Sequence, residues 1–400
     1  MTLQRYADHV RKVLVALATL AALISTLAIA APAQAVAINT VVDTIPVGGT
    51  PLGMAIAGHY AYVANFAPGT VSVIDLDTNT IAQNISVGSH PVDVGISGHY
   101  AYVTMNADSQ VVVIDITTNS VLTGAGYPIP VGANPENLAI AGTFAYVANR
   151  PASSVTVINI DPMSPQFHTV AATISSGFDQ PWSIAVVGNL AYVTNHGSGG
   201  LGTTVSVVDI DPASNDYRTV VHTITVDRGP INLAVVGSRL YVTNFTDDTM
   251  SVIDINPGSP TFNQNVQTIT VGDGPAGVAG QGSTIYVANC FAGTVSVVDA
   301  ASGTVKATIT VDPLSTDVDI SNGYAYVTNQ DGPSTSEGTV SVIWIGLPAS
   351  AAATPMWQQA IGRTSSAATC PTGYTPSWDY WPNGGTGGFV CNRFVPVYGS

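Results

Sequence analysis

The sequence predicts an all-β fold, a seven-bladed β-propeller of four-stranded blades, and three observations predict it. First, the stretch Ala61-Tyr62-Val63-Ala64-Asn65 followed by Gly69-Thr70-Val71-Ser72-Val73-Ile74-Asp75 returns six more times. Its tyrosine recurs at Tyr102, Tyr146, Tyr192, Tyr241, Tyr286 and Tyr326, at spacings of 40, 44, 46, 49, 45 and 40 residues, the period of an array of one supersecondary unit. Second, each unit shows period-2 alternation in short runs rich in Val, Ile, Thr and Tyr, punctuated by Gly, Asn and Pro, the pattern of strands joined by hairpins. Third, the array is offset by one strand. Residues 37–48 match the fourth strand of a unit, while the seventh unit stops after its third, at Thr339 to Ile345. Chain start and chain end can therefore share a blade and close the ring, leaving no open edge.

Within the first unit the expected strands are Gly53 to Ala57, Ala61 to Ala64, Thr70 to Asp75 and Thr80 to Val87. Each first strand carries a small residue in its middle, Ala55, Gly95, Ala139, Ala185, Ala234 and Ala279, as converging inner strands require. The seventh has Asp319 there, with Asp317 beside it. Two carboxylates near the axis could hold a cation or line a wet channel, and solvated acids at a funnel mouth are the plainer reading. The recurring asparagines, Asn65, Asn149, Asn195, Asn244, Asn289 and Asn329, are expected to shape the turn after the second strand, because Asn closes tight turns and tolerates left-handed backbone angles. Unit two departs, with Met105 in that slot. The recurring tyrosines offer a flat body for packing between blades and a hydroxyl that must find a partner.

Tyr-Val-Thr-Asn at Tyr192, Tyr241 and Tyr326, and Tyr-Val-Ala-Asn at Tyr62, Tyr146 and Tyr286, each precede a Thr-Val-Ser-Val-type strand. In this the chain resembles the YVTN family of β-propeller repeats, found in bacterial and archaeal secreted and surface-layer proteins. The resemblance covers residues 36 to about 347. It implies the fold and export but no single activity, since a fold does not fix a function.

Composition supports an exported protein with a self-sufficient core. Of 400 residues 46% are hydrophobic and only 9% charged, far under the roughly 25% of ordinary soluble domains. The formal net charge of −15 repels nucleic acid, so no nucleic-acid partner is expected. Arg5, Arg11 and Lys12 precede an apolar run from Val13 to Ala30, and Ala33-Gln34-Ala35 supplies a small-x-small cleavage site, so residues 1–35 are expected to be a signal peptide; an uncleaved anchor is the alternative. Cleavage would leave 24 acidic and 7 basic residues and no stable membrane span. Residues 36–347 are then the propeller, 348–356 a small-residue linker, and 357–400 an aromatic module. The run Trp381 to Cys391 resembles a short two-cysteine C-terminal segment of exported actinobacterial proteins. Cys370 and Cys391 are expected to form a disulfide in this exported segment, worth roughly 3 kcal/mol in the chain-entropy model. The module's tryptophans could stack on envelope sugars or serve as its own small core.

For chemistry, the informative positions are those that do not repeat, on the loops at one rim. The loops entering the first strands carry His90, Glu136, Gln180, Trp182, Arg228, Asp273 and Asp312. Those between second and third strands carry Phe66, Arg150, His196, Phe245, Asp247, Asp248, Cys290, Phe291 and Asp331. A channel mouth lined by aromatics and a few polar groups is the expected ligand site, with Trp182, Arg228, Phe245, Phe291, Asp317 and Asp319 as candidate binding residues. His90, Glu136, Arg150 and His196 are the candidate acid/base set of an alternative, a lactonase-like hydrolase, which requires them to converge. Gly197 to Gly202 and Ser334 to Glu337 are expected to be mobile rim loops, and His168 and His222 to sit at the outer edge. Cys290 is either a small buried residue or a reactive thiol, with nothing basic beside it in sequence. No metal-binding motif occurs. The words Asn159-Ile160-Asp161-Pro162, Asp209-Ile210-Asp211-Pro212 and Asp254-Ile255-Asn256-Pro257 could bind calcium but are equally turn initiators. The expectation is therefore a monomeric, exported, non-catalytic binding or surface protein without a cofactor. Its rim would recognise a small molecule, glycan or protein.

Overall fold

The structure, a computed structural model, describes residues 37–331 and 337–347, together with the backbone of an antiparallel pair of short strands, Thr375–Asp379 and Gly388–Asn392. The expected signal peptide and linker, the Ser334 to Glu337 loop up to residue 336, Cys370 and the side chain of Cys391 lie outside the described residues.

Seven four-strand units surround one axis. In blade 1 the strands are Pro51–Ala57, Tyr60–Asn65, Thr70–Asp75 and Thr80–Ser86, paired in that order from axis to rim. The tight turn between the first two, Gly58-His59, recurs in each blade, and the ladders are antiparallel throughout. Closure is as the offset requires. Thr40–Pro46 pairs with Thr339–Trp344, Thr44 facing Ser341 and Ile45 facing Val340. Ile45 and Val47 are buried against blade 1 residues Met54, Ala61 and Val63. Blade 2 is irregular at its rim, where two fragments, Ser120–Val121 and Ile129–Pro130, replace the continuous fourth strand.

Packing follows from alternation along the second and third strands. Tyr62 and Ala64 face one neighbour and Ala61 and Val63 the other, so each blade is apolar on both sides. The core is accordingly not one cluster but seven seams, such as Tyr62, Val71, Val73 and Ile85 of blade 1 against Val94, Ala101, Val103 and Ile114 of blade 2. The same seam repeats around the ring. The small mid-strand residues are needed where expected. A Cβ added at Gly95 would lie 2.3 Å from Leu138 of the next blade.

The repeated polar residues fasten these seams. Four of the tyrosines, Tyr62, Tyr102, Tyr192 and Tyr286, hydrogen-bond to the residue that precedes the outermost strand of the next blade and has positive φ: Asn119, His168, Asn263 and Asn39. Tyr62 donates to Asn119 at 3.0 Å and Tyr192 to Asn263 at 2.7 Å. Tyr102 meets the imidazole of His168 at 2.8 Å.

The asparagine reading is overturned. These residues end the second strand, are buried and have no positive φ. Asn65 donates through Nδ2 to Thr70 and Ser72, and the other five make the same pair of bonds to the Thr or Ser at the fifth and seventh positions on, or their loop-extended equivalents. They pin the third strand to the second. In blade 2 all three members change together, to Met105, Gln110 and Val112, and the two buried ones, Met105 and Val112, replace the buried amide–hydroxyl pair by an apolar contact.

His168 is likewise not a rim residue. It is 4% exposed, stacked on Phe167 and edged by Tyr100, Tyr102 and Tyr127. His222 is exposed as expected. In the Asp/Asn-Pro loops the oxygens serve turns: Asp161 accepts from the Met163 N–H, and Asp254 accepts from Ser259, Thr261 and Arg239.

Candidate functional site

Six inner strands start with Pro and slip register directly after it, between Pro51 and Met54 in blade 1 and equivalently to Pro275 and Val278 in blade 6. Blade 7 has Ser315 in that slot and shifts by the same single residue, its pairing resuming one position earlier, at Asp317. A bulge re-aims side chains, and here it turns the two residues after the Pro slot toward the axis. A second ring comes from the residue after the asparagine slot, whose N–H bonds the carbonyl just before the Pro, as Arg150 N–H does to Asn134. The two rings together line a cavity of about 390 Å³ at one end of the channel, to which every blade contributes.

The lining is divided. On one side stand Glu136, Asn137 and Arg150 of blade 3 and His196 of blade 4; on the other Ile231, Phe245, Ala276 and Cys290 of blades 5 and 6, with Trp182 between. Arg150 lies 4.5 Å above the Trp182 ring, a cation–π contact. It sits 3.7 Å from Glu136 and 3.3 Å from Nδ1 of His196. Nδ1 of His196 also lies 3.2 Å from the Gly197 carbonyl, which accepts only from a protonated Nδ1, whereas an arginine donor needs a bare one, so the two contacts call for opposite tautomers. His196 also packs against Trp182 at 4.7 Å.

Burial dominates the electrostatics. It raises Glu136 to about 7 against the attraction of Arg150, and lowers His196 to about 4 with the Arg150 charge assisting. It pushes the Cys290 thiol up to about 11. Asp317 is raised by desolvation and then by the charges of Asp93 and Asp319. Its oxygens are engaged by the N–H groups of Val318 and, across the seam, Met54. Asp93 does the same for Val94 and Leu138. These acids staple inner strands whose N–H groups have no ladder partner, and their neighbours make room. A Cβ at Gly53 would meet Asp93 at 2.4 Å, and one at Gly277 would meet Asp317 at 2.5 Å.

Of the sequence candidates, Glu136, Arg150, His196, Trp182, Phe245 and Asp317 converge on this cavity. His90 does not; it has φ 56° and stacks on Phe66 at 4.3 Å. Arg228 is turned outward, bound to Asp247 on the exposed rim. Phe291 is 61% exposed and only edges Phe245. Asp319 lies further along the channel wall, where its carboxyl is raised by burial and accepts the Ile320 N–H. The Gly197 to Gly202 loop is not loose: a 3-10 turn at Ser198–Gly200, the Gly202 N–H to the His196 carbonyl, and the Thr246 hydroxyl to Gly200 hold it, and with it His196. Sequence reasoning missed Leu52, Val92, Asn137, Asn232 and Gln330. Leu52 and Val92 occupy the slot of Glu136 and Trp182, Gln330 that of Arg150, and Asn137 and Asn232 that of Asp317, which was the signal available. Among the described residues no three His, Cys, Asp or Glu side chains are grouped to hold a metal ion.

The architecture and this axial site define a repeat β-propeller. The LVIVD repeat model matches residues 48–76, 89–126 and 315–333. Among solved structures the chain is similar to Kuenenia stuttgartiensis hydrazine synthase (TM-score 0.62, 17% identity, 79% of this chain and all of that one) and to the computationally designed Ika8 protein (TM-score 0.55, 12%, 77% and all). A functionally unknown protein from Desulfotomaculum acetoxidans is also similar (TM-score 0.55, 18%, 66% of this chain and 86% of that one). At these identities the likeness shows the fold alone. A comparison with curated proteins finds no match.

Proposed function

We propose that the propeller is a non-catalytic binding protein that holds a small organic molecule in the mouth of its central channel. The observation that carries this reading is the cavity of about 390 Å³ built from the slots that vary between blades, amid slots that do not. Its volume is that of small-molecule sites, and an aromatic and aliphatic wall with a few converging polar groups is their usual lining. The leader-like residues 1–35 and the resemblance to YVTN repeats support placing the protein outside the cytoplasm, in solution or on the cell envelope.

The chain Glu136–Arg150–His196 favours hydrolysis as a second reading. Against it, burial and the Arg150 charge make His196 a weak base, and burial holds the nearest thiol protonated. The test is a fragment screen on the full chain by thermal shift, repeated on Trp182→Ala. Fragments that stabilise the wild type and not the variant are expected, and a screen without any such fragment refutes the reading. A parallel ester and lactone screen would favour the hydrolase if turnover appears and disappears in His196→Ala.

A further inference from the structure

We propose that the molecule bound at the mouth is an organic monocarboxylate with an apolar body, its carboxylate received by Arg150; this rests on the reading of the mouth as a ligand site. Arg150 is the only cationic side chain among the lining residues. Its charge is fixed at every working pH, and its side chain remains 28% exposed toward the cavity. A guanidinium has five N–H donors. One is directed at His196 Nδ1, and Glu136 at 3.7 Å is beyond hydrogen-bond length, so donors remain for an incoming acceptor. Stacking on Trp182 fixes the plane of the fork, and a fixed fork is suited to a two-oxygen acceptor.

The other groups near the head end set the ligand's charge. Glu136 beside Arg150 and Asp317 across the cavity are acids, and His196 is neutral. One fixed cation offsets a single carboxylate, whereas a dianion such as a phosphate monoester would leave a second charge uncompensated in a cavity that already disfavours the ionised forms of Glu136 and Asp317. Beyond Trp182 the wall includes Leu52, Val92, Ile231, Phe245, Ala276 and Cys290, which offer dispersion and burial to an apolar body, with Asn232, Thr316 and Gln330 as neutral polar groups among them.

The experiment is titration calorimetry of the full chain with indole-3-acetate and 4-phenylbutanoate, with their primary amides, and with phenyltrimethylammonium as a cationic probe. At least one acid should bind 10-fold or more tightly than its amide. Arg150→Met should erase that preference, Arg150→Lys should keep part of it, and Glu136→Gln, which removes a competitor for the guanidinium, should raise acid affinity several-fold. Amides binding as well as acids, preferential binding of the cation, or an acid preference that survives Arg150→Met overturns the carboxylate assignment while leaving a ligand site. Absence of binding by every probe removes the assignment together with the small-molecule reading. Should Arg150→Met fail to fold, the Arg150→Lys and Glu136→Gln pair decides, since unchanged acid-to-amide ratios in both contradict the proposal.

Discussion

Glu136 and Asp93 each carry a carboxyl raised by burial to about 7. A carboxyl raised in the folded state supports folding while protonated. That contribution is full below the unfolded pKa near 4 and is lost as the pH rises through about 7. For Glu136 the rise already includes the attraction of Arg150, so the ionised form is disfavoured on balance. Glu136→Gln should therefore melt higher than the wild type at pH 8, by about 2–5 °C, with the gap closing toward pH 5; scanning calorimetry at the two pH values checks it. His168 has the opposite sign. Burial lowers it to about 4, so its contribution is complete above about 6.5 and fades as the pH falls through 4. His168→Asn, which installs the residue that blades 2 and 5 use in this slot, keeps a partner for Tyr102. His168→Leu strands two tyrosine hydroxyls and should cost about 1–3 kcal/mol more in urea unfolding at pH 8.

At the scale of a strand, the Asn–Thr–Ser clasp explains why the repeat is spelled as it is. Asn289→Ala leaves the hydroxyls of Thr294 and Ser296 without their donor and should cost about 1–3 kcal/mol, measured by chemical denaturation. Blade 2 offers the converse. Met105→Asn alone buries an amide opposite Val112 and should destabilise, whereas Met105→Asn with Val112→Ser should recover part of the loss, a coupling visible in a double-mutant cycle. This clasp was open to reading. The intervals of five and seven residues from Asn65 to Thr70 and Ser72 stand in the sequence, and their joint loss in blade 2 marks a shared role. Turn propensity was the weaker argument because it treats Asn in isolation. The tyrosine hydroxyls were harder, for the partners of Tyr62, Tyr102 and Tyr192 lie 57, 66 and 71 residues downstream, that of Tyr286 lies 247 upstream, and they are Asn or His at one slot. Only blade order in space brings them together. Similarly, His168 looked peripheral because its strand is peripheral, and the tyrosines that enclose it belong largely to another blade.

For the whole molecule, repetition made the number of blades, the order of strands and the closure legible. Half of the site was legible too, because Glu136, Trp182, Arg150 and His196 are departures from a repeat. The direction of each rim side chain was not, since Arg228 and Arg150 sit on similar loops and only local pairing with Asp247 turns the former away. Closure gives the prediction at this scale. Removing residues 1–47 uncovers the edge of Thr339–Trp344 and strips Ile45 and Val47 from the seam to blade 1. The shortened chain should melt at least about 10 °C lower than a chain lacking only residues 1–35, and should associate in light scattering, as bare edges do.

The slots that face the axis have a consequence for change over time. Most of the fastening and most of the lining are written at different addresses: tyrosine, asparagine, threonine and serine hold the wheel, while the residue after each first-strand Pro or Ser and, in five blades, the residue after the asparagine face the cavity. Exchange at the second set leaves most of the first untouched, so a lineage, or an engineer with a twelve-codon library, could reshape the cavity without rebuilding the wheel.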